Sequence, residues 1–252
     1  MPYQYFTNHQ ICLYLHIQTL ITKRRLMKGP TCFLENQHTS CFELLTPDQK
    51  ELVRLNRIQI RYKKGEIIAK QGSLASHIIF LDEGLVKVFL EGRPKDLILK
   101  IVPSNHLIGL PSIYDGNNQF IYSVATYTDS LVSQIDINIF KELLSSNPQF
   151  ALKIINILNE DTALIYGRFF CLTMKQSHSR VADILLCLSK RVYKSSEFNL
   201  AISRNDLADL TGLASESVIR ILKDFKDEGL IASDGKKFRI LDFEKLEKIS
   251  EL

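Results

Sequence analysis

The spacing of apolar and polar residues near the carboxyl end of the chain predicts a helix with two distinct faces. Four apolar residues recur at positions i, i+3, i+4 and i+7, which places them along one stripe of a helix. They are Val218, Ile221, Leu222 and Phe225. The opposite side is formed by Glu216, Arg220, Lys223 and Asp227. One face of this helix is therefore expected to pack on a core while the other faces outward.

The segments on either side of this helix complete a motif. A shorter helical pattern covers residues 205–210, Ser203 is placed to cap its amino end, and Gly212 supplies the glycine that a tight turn between helices favours. After the second helix, LIASDGKKFRILD reads as two short strands around Asp234 and Gly235, a dipeptide typical of β-hairpins. Helix, turn, helix and hairpin together predict a winged helix-turn-helix.

The outward face of the second helix carries side chains suited to DNA. An arginine such as Arg220 can donate two hydrogen bonds to guanine, and a carboxylate such as Glu216 can accept one from cytosine, so the pair can read a G·C base pair. The predicted DNA-binding residues are Ser203, Arg204, Ser215, Glu216, Ser217, Arg220, Lys223 and Lys237. Of these, Ser203, Arg204, Lys223 and Lys237 are expected at phosphates. The alternative is an ordinary helical hairpin with a solvated Glu216–Arg220 pair.

The middle of the chain has a different periodicity. Between residues 43 and 140, β-branched and aromatic runs are separated by Gly, Pro, Asn and Asp, which is the pattern of short antiparallel strands. The runs are GEIIAKQG, HIIFLDEGLVKVFLEG, DLILKIVP, FIYSVATYTDS and LVSQIDI. Ahead of them, TPDQKELVRLN predicts a helix with Thr46 as N-cap and Pro47 in its first turn. We expect a small β-roll that is entered by a helix.

A long helix is predicted to follow the roll, with Asn147 as N-cap and Pro148 in the first turn. Mostly apolar residues then recur at alternating spacings of three and four, as in a heptad seam. The seam consists of Ala151, Ile154, Leu158, Thr162, Ile165, Phe169 and Leu172. It either packs on the roll or joins a second copy of the chain. We predict a homodimer whose interface contains Ile154, Leu158, Ile165 and Phe169.

Composition and charge narrow the partners. The chain has 252 residues, of which 45% are hydrophobic and 24% charged, as in a soluble globular protein of two domains. The net charge of +4 lies in the amino-terminal tail, because residues 1–30 hold four basic and no acidic residues, whereas residues 178–252 hold 13 of each. The prediction of DNA binding therefore depends on local placement of charges, and nonspecific affinity is expected to be modest.

The amino-terminal tail is set apart from the predicted domains. Its apolar run ICLYLHIQTLIT is shorter than the roughly 20 residues of a membrane span, and its basic cluster follows the run instead of preceding it. Residues 1–26 read either as an extension from an upstream start codon, ahead of Met27, or as a short extra helix or strand. Neither reading gives a membrane anchor.

The five cysteines do not form a metal-binding pattern. Cys12, Cys32, Cys41, Cys171 and Cys187 include no C-x-x-C pair, and no histidine lies at zinc-finger spacing, so no metal or other cofactor is expected. Cys187 is predicted in a helix core. Cys32 and Cys41 are close enough in sequence to suggest redox chemistry, although an inert pair is the simpler interpretation. Reduced thiols indicate the cytoplasm. The sequence contains no set of nucleophile, base and orienting residue that would indicate an enzyme.

The order of these parts resembles the Crp/Fnr family of bacterial transcription regulators over roughly residues 43 to 241. SESVIR is similar to the RETVGR-like motif of that family, and the resemblance implies that Glu216 and Arg220 read a G·C pair in each half-site. Ser215 and Ile219 depart from the catabolite-activator motif, so its full operator is not carried over. Two-fold symmetry would place two recognition helices about 34 Å apart, one turn of DNA.

The resemblance also identifies the place of an effector pocket. Cyclic-nucleotide-binding members carry a cassette with a Gly-Glu pair for the ribose and an Arg-Ser pair for the phosphate. Gly109 matches the glycine, but Leu110 replaces the glutamate, and Gln119 and Phe120 lie near the Arg-Ser position. Cyclic AMP is therefore not expected to bind. The four-cysteine cluster of the oxygen-sensing branch is also absent from the sequence.

These observations predict an α+β protein with four regions. They are an amino-terminal extension (1–30), a sensor β-roll of double-stranded β-helix type (31–146), a dimerisation helix (147–175) and a winged helix-turn-helix (176–252). The predicted function is that of a homodimeric, sequence-specific transcription regulator with an unknown effector or none, and with double-stranded DNA and RNA polymerase as partners. The alternative is a β-roll module that regulates partner proteins without DNA.

Overall fold

A computed structural model of the chain describes residues 40–93 and 95–251. It begins with two helices, α1 (Ser40–Glu43) and α2 (Pro47–Leu55). Thr46 caps α2, because its hydroxyl accepts a hydrogen bond from the Gln49 N–H while the Gln49 side chain accepts one from the Thr46 N–H. The predicted entry helix and its cap are thus confirmed. The predicted tail, residues 1–30, lies outside the described residues.

The β-roll consists of eight antiparallel strands in two sheets. The strands are β1 (Arg57–Tyr62), β2 (Ile67–Ala69), β3 (His77–Glu83), β4 (Leu85–Leu90), β5 (Leu97–Pro103), β6 (His106–Ile108), β7 (Ser123–Thr126) and β8 (Ser130–Asp136). One sheet has the order β1-β8-β3-β6 and the other the order β2-β7-β4-β5. Apolar side chains from both sheets and from the segment before β7 fill the space between the sheets, including Leu81, Val88, Phe120, Tyr122 and Val132.

Each of the predicted β runs contains at least one strand, but two strands of the roll were not predicted. β1 has the sequence RIQIRY, in which polar and apolar residues alternate at the edge of its sheet, so this strand was predictable from its period of two. β6 has three residues and follows Asn105, which adopts a left-handed backbone conformation. A strand as short as β6 carries little periodic signal, because its identity depends on pairing with neighbours.

The long helix is present as predicted. After α3 (Ile137–Ser146), α4 runs over 27 residues (Pro148–Met174). Asn147 caps α4 by accepting a hydrogen bond from the Phe150 N–H, and Pro148 occupies the first turn, where a proline loses no helical hydrogen bond. The amino-terminal half of α4 packs with α3 against one sheet of the roll through Phe140, Phe150 and Ile157.

The carboxyl-terminal part is a winged helix. It contains α5 (Ser177–Cys187), a π-helical turn (Leu188–Val192), β9 (Glu197–Asn199), α6 (Arg204–Thr211), α7 (Ser215–Asp227), β10 (Ile231–Asp234), β11 (Lys237–Ile240) and α8 (Phe243–Ser250). The strands form a sheet in the order β10-β11-β9. Ser203 caps α6, and Gly212 ends it with a φ of 65°, a conformation that glycine adopts without strain. The predicted helix-turn-helix is confirmed.

The hairpin of the wing is shifted by one residue from its prediction. Asp234 is paired with Lys237, so Asp234 is the last residue of β10 and the two-residue turn is formed by Gly235 and Lys236. Gly235 has a φ of 56°, which explains why a glycine is needed there. The boundaries predicted for the four regions of the chain stay predictions.

The roll and the winged helix share one apolar cluster. Phe89 and Ile98 of the roll belong to the same cluster as Leu207 and Leu210 of α6. At its edge, Lys87 Nζ of β4 lies 3.2 Å from the Asp206 carboxylate. The first helix of the helix-turn-helix therefore packs against the roll.

Candidate nucleic-acid interface

The two faces of α7 are divided as the sequence predicts. Val218, Ile221, Leu222 and Phe225 are buried in the core of the winged helix, whereas Glu216, Arg220 and Lys223 are exposed. Within residues 40–93 and 95–251, no hydrogen bond or ion pair engages the side chain of Glu216 or of Arg220. Both side chains are thus available to an external partner, and they do not form the i, i+4 pair of the alternative interpretation.

Contacts to neighbouring helices hold α7 in place. The Ser215 hydroxyl donates a hydrogen bond to Asn205 Oδ1 of α6 at 2.9 Å, which fixes the start of α7 relative to the preceding helix. Further along, His178 Nε2 of α5 lies 3.3 Å from Asp224. Ser217 is half-buried in the first turn of α7. Of the serines predicted to touch DNA, Ser215 is therefore engaged inside the protein.

Two of the residues predicted at phosphates have structural contacts of their own. The Ser203 hydroxyl accepts a hydrogen bond from the Asp206 N–H and donates one to the Asp206 carboxylate at 2.6 Å. The Arg204 guanidinium lies 4.8 Å from the centre of the Phe238 ring and donates a hydrogen bond to the Gly235 carbonyl. Burial lowers the pKa of Arg204. Arg204 therefore ties α6 to the wing, and its contact with phosphate stays a prediction.

The wing presents cations around a shared carboxylate. Lys237 Nζ and Arg239 Nη2 of β11 lie 2.6 Å and 2.5 Å from the two oxygens of Glu197 on β9. These hydrogen bonds lower the pKa of Glu197. Arg239 was not among the predicted residues, because its place beside Lys237 depends on the pairing of β9 with β11. Both cations are exposed, and both belong to β11, the strand that forms one side of the wing.

Two of the four residues predicted at the effector pocket, Leu110 and Phe120, are part of the apolar packing of the roll. Gly109 has a φ of 102° and starts the 3₁₀ turn Leu110–Ser112, and its N–H donates a hydrogen bond to the Tyr122 hydroxyl at 3.0 Å. Leu110 is buried in the cluster between the roll and α4, and Phe120 is buried inside the roll. Gln119 is exposed. In the family's cassette these positions would carry a carboxylate and a guanidinium. In this chain they hold buried apolar residues or an amide that faces solvent.

One residue of the predicted dimer interface is buried within the chain itself. Ile154 is 2% exposed and packs in the cluster of the roll, Leu158 is half-buried, and Ile165 and Phe169 are 50% and 68% exposed. Ile154 and Ile165 are eleven residues apart, so they lie only about 20° apart around the helix. They differ because the apolar cluster of the roll covers the start of α4, with Phe150, Ile154 and Ile157, and does not include Ile165. Ile154 is thus covered by the roll within the single chain, and its part in a dimer interface stays a prediction.

Buried charges on α4 were missed by the sequence analysis. Both Asp161 oxygens lie 2.7 Å from Lys100 Nζ of β5, and the two side chains are only 7% and 14% exposed. Arg168, seven residues further on, is also buried and donates hydrogen bonds to the carbonyls of Ile98 and Asp209. Two opposite charges seven residues apart on an apolar helix lie on the same side of it. This spacing could have indicated the buried charged face from the sequence. They join the roll, α4 and α6.

The cysteines give no sign of redox or metal chemistry where the structure describes them. Cys41, Cys171 and Cys187 are buried thiols, and burial raises the pKa of Cys41 to about 12. A thiol with so high a pKa is protonated and unreactive at neutral pH. Cys12 and Cys32 lie outside the described residues. In the described ranges no three His, Cys, Asp or Glu residues are grouped to hold a metal ion, and no helix is long and apolar enough to cross a bilayer.

Two family models match the chain in the order of its parts. Residues 59–147 match the cyclic nucleotide-binding domain family, and residues 179–249 match the Crp-like helix-turn-helix domain family. The first match covers most of the roll and the second covers the winged helix. Together with the outward face of α7, they define a DNA-binding regulator with a sensor-type roll.

Similar proteins point to one group of regulators. The transcriptional activator protein anr of Pseudomonas aeruginosa is 28% identical over 185 residues, which cover 71% of this chain and 75% of that protein. Electron transport regulator A of Shewanella oneidensis is 26% identical over 236 residues, or 89% and 93% of the two chains. The solved structure of FixK2 from Bradyrhizobium japonicum has the same fold, with a TM-score of 0.71 at 18% identity over 77% of this chain and 96% of that one. The chain belongs to the Crp/Fnr family of DNA-binding transcription regulators.

Proposed function

We propose that this regulator acts as a homodimer that reads a two-fold operator through α7, with a G·C pair in each half-site. The observation that supports this best is the outward face of α7, from which Glu216 and Arg220 project without partners among the described residues. In the major groove, the guanidinium would donate to guanine O6 and N7 and the carboxylate would accept from cytosine N4. Such a protein acts where the bacterial chromosome lies, in the cytoplasm, and RNA polymerase is its candidate partner in activation.

The exposed apolar side of α4 supports the homodimer. Ile155, Ile165, Tyr166 and Phe169 are large exposed apolar residues on this side, and such contiguous patches mark interaction surfaces. Next to Ile155 lies an apolar hollow of about 520 Å³, whose far wall is the segment 110–114 of the roll. A second α4, related by two-fold symmetry, would cover the stripe. The same symmetry would present two α7 helices to successive major grooves, about 34 Å apart.

The roll is proposed not to bind cyclic nucleotides. A cyclic phosphate without an arginine loses a charge-assisted hydrogen-bond partner, typically about 1.5–3 kcal/mol. Leu110 and Phe120 are part of the packed interior, so a ribose or phosphate would have to displace core side chains. The roll then serves either another effector or the assembly of the dimer alone.

DNA binding can be tested on operators selected from a random-sequence library. We expect the purified protein to enrich a two-fold site and to bind it with an affinity that falls linearly in log–log plots against salt concentration. The variant Glu216→Ala/Arg220→Ala should lose the preference for the selected site. Its matched control is Glu244→Ala/Lys248→Ala, which removes an exposed Glu–Lys pair on α8 in the same domain.

The outcome also decides between the two functions. If the folded protein enriches no DNA at low salt, the winged helix is not a DNA reader. The alternative, a roll that regulates partner proteins, would then be preferred. If both double variants bind the selected site equally, the DNA-binding surface lies elsewhere than on α7.

A further inference from the structure

An apolar side chain stands out on the otherwise polar outward face of α7. Ile219 is 53% exposed, although it lies between the polar positions Glu216 and Arg220. In the described part of the winged helix, residues 176–251, the other exposed large apolar residue is Leu241, at 52%. Leu241 follows β11 and its N–H donates to the Leu230 carbonyl, beyond the carboxyl end of α7.

Neither packing nor helix stability accounts for Ile219. The core of the winged helix is built from the opposite face of α7, and Ile219 is absent from that cluster. At an exposed helical position, isoleucine is a poorer helix former than lysine, glutamate or alanine, because β-branching restricts its rotamers. The same restriction gives the side chain a fixed shape, so little conformational entropy is lost when it contacts a ligand.

Its position places Ile219 in the groove with the base-reading pair. Glu216 is three residues before it and Lys223 four residues after it, so all three lie on one side of the helix. Residues at such spacings have Cβ atoms about 5–6 Å apart. Successive base pairs are separated by about 3.4 Å. Ile219, which lies beside Glu216, therefore reaches a base that is about one or two base-pair steps from the G·C base pair contacted by Glu216.

The major groove offers one apolar group to such a side chain, the C5 methyl of thymine. We propose that Ile219 contacts a thymine methyl next to the G·C pair and so makes this regulator select a thymine at that position of each half-site. The inference rests on the proposed reading of DNA by α7. It adds a specificity-determining residue that Glu216 and Arg220 do not supply, because polar groups gain nothing from a methyl.

The test uses operators selected by the wild-type protein from a random library. The enriched site should contain a thymine within two positions of the G·C pair. Deoxyuridine is then placed there, which removes the methyl and leaves the base pair unchanged. Burying one methyl-sized group corresponds to about a fourfold change in affinity, so we expect about fourfold weaker binding for one half-site and about fifteenfold for both.

Variants assign the effect to the side chain. Ile219→Ala should bind thymine and deoxyuridine operators equally, whereas Leu241→Ala should keep the wild-type difference. Circular dichroism checks that both variants are folded, and the deoxyuridine comparison with wild-type protein needs no variant at all.

The outcomes separate this inference from the function on which it rests. If the wild-type protein selects a G·C-containing site but binds its thymine and deoxyuridine forms equally, the methyl contact is wrong while the DNA-binding function stands. An Ile219→Ala protein that keeps the full methyl dependence also overturns the assignment. If no site is enriched, both the function and the inference fail.

Discussion

The outward face of α7 and the cassette of the roll are both ligand-facing parts of the same family architecture, yet this chain treats them differently. On α7, Glu216 and Arg220 remain exposed and unpartnered among the described residues. In the cassette, Leu110 and Phe120 are buried in apolar clusters. The difference shows that fold and binding chemistry are separable, because the fold depends on the apolar interior and the function on a few side chains placed upon it.

Electrostatics explains why the two sites differ in this way. A charge on the exposed face of α7 remains solvated when DNA is absent. A carboxylate at position 110 would be buried, since Leu110 is 2% exposed, and a buried charge is costly unless it is paired. Charges therefore remain inside this protein where they have permanent partners, as Asp161 and Lys100 have.

The largest effect is expected from breaking that buried pair. Asp161→Ala leaves the Lys100 ammonium buried without its carboxylate, which typically costs about 3–5 kcal/mol of unfolding free energy. Denaturant unfolding measures the loss, and Asn159→Ala, an exposed substitution on the same helix, serves as the control. If Asp161→Ala is as stable as the wild-type protein, the buried charges of this protein contribute no more to stability than its exposed charges do.

The next largest effect should be on assembly. Ile165→Glu places a charge in the exposed stripe of α4, and a dimer through this stripe would bury the charge unpaired, at a cost of several kcal/mol. Light scattering should then report a monomer, while Asn156→Glu, on the same helix but off the stripe, should stay dimeric. Because Ile165 is half-exposed in the single chain, its substitution should leave the fold intact. A dimeric Ile165→Glu protein would place the interface elsewhere.

Arg220→Ala should act on specificity. Loss of a guanidinium aimed at guanine is expected to cost about 1–3 kcal/mol on the selected operator and little on unrelated DNA. Competition assays with the G·C pair changed provide the measurement, and thermal melts provide the control, since the buried face of α7 is untouched. If binding to selected and scrambled DNA falls by the same factor, Arg220 contacts the backbone.

Lys223→Ala should have a smaller and less selective effect. If Lys223 contacts phosphate, its removal weakens binding to all sequences alike and reduces the salt dependence by about one unit of slope. Titrations at several salt concentrations measure the slope. A change confined to the selected operator would instead make Lys223 a base-reading residue.

For the roll, we expect no binding of cyclic nucleotides. Calorimetry with cyclic AMP or cyclic GMP at about 100 μM, well above a micromolar dissociation constant, should show no saturable binding. Saturable binding in the micromolar range would mean that the cassette rearranges to accept the nucleotide.

Several parts of the structure could be predicted because their signals are local. Thr46, Asn147 and Ser203 cap helices as their sequence context indicates, and the buried face of α7 follows from its periodicity. These features depend on the backbone of a few neighbouring residues, so a single sequence contains them. The outward position of Glu216 and Arg220 belongs to the same class, because their exposure follows from the opposite face being apolar.

Other features were decided by the tertiary structure alone. Nothing in the heptad seam distinguishes Ile154, which packs on the roll, from Ile165, which faces outward, because the division depends on where α4 leaves the roll. The stacking of Arg204 on Phe238 and the pairing of Lys100 with Asp161 join residues far apart in the chain. The sequence by itself determined the local elements and their apolar faces, because short-range sterics and periodicity act within each segment. Only the packing of those segments decided which side chains meet, because burial and charge pairing depend on the whole chain.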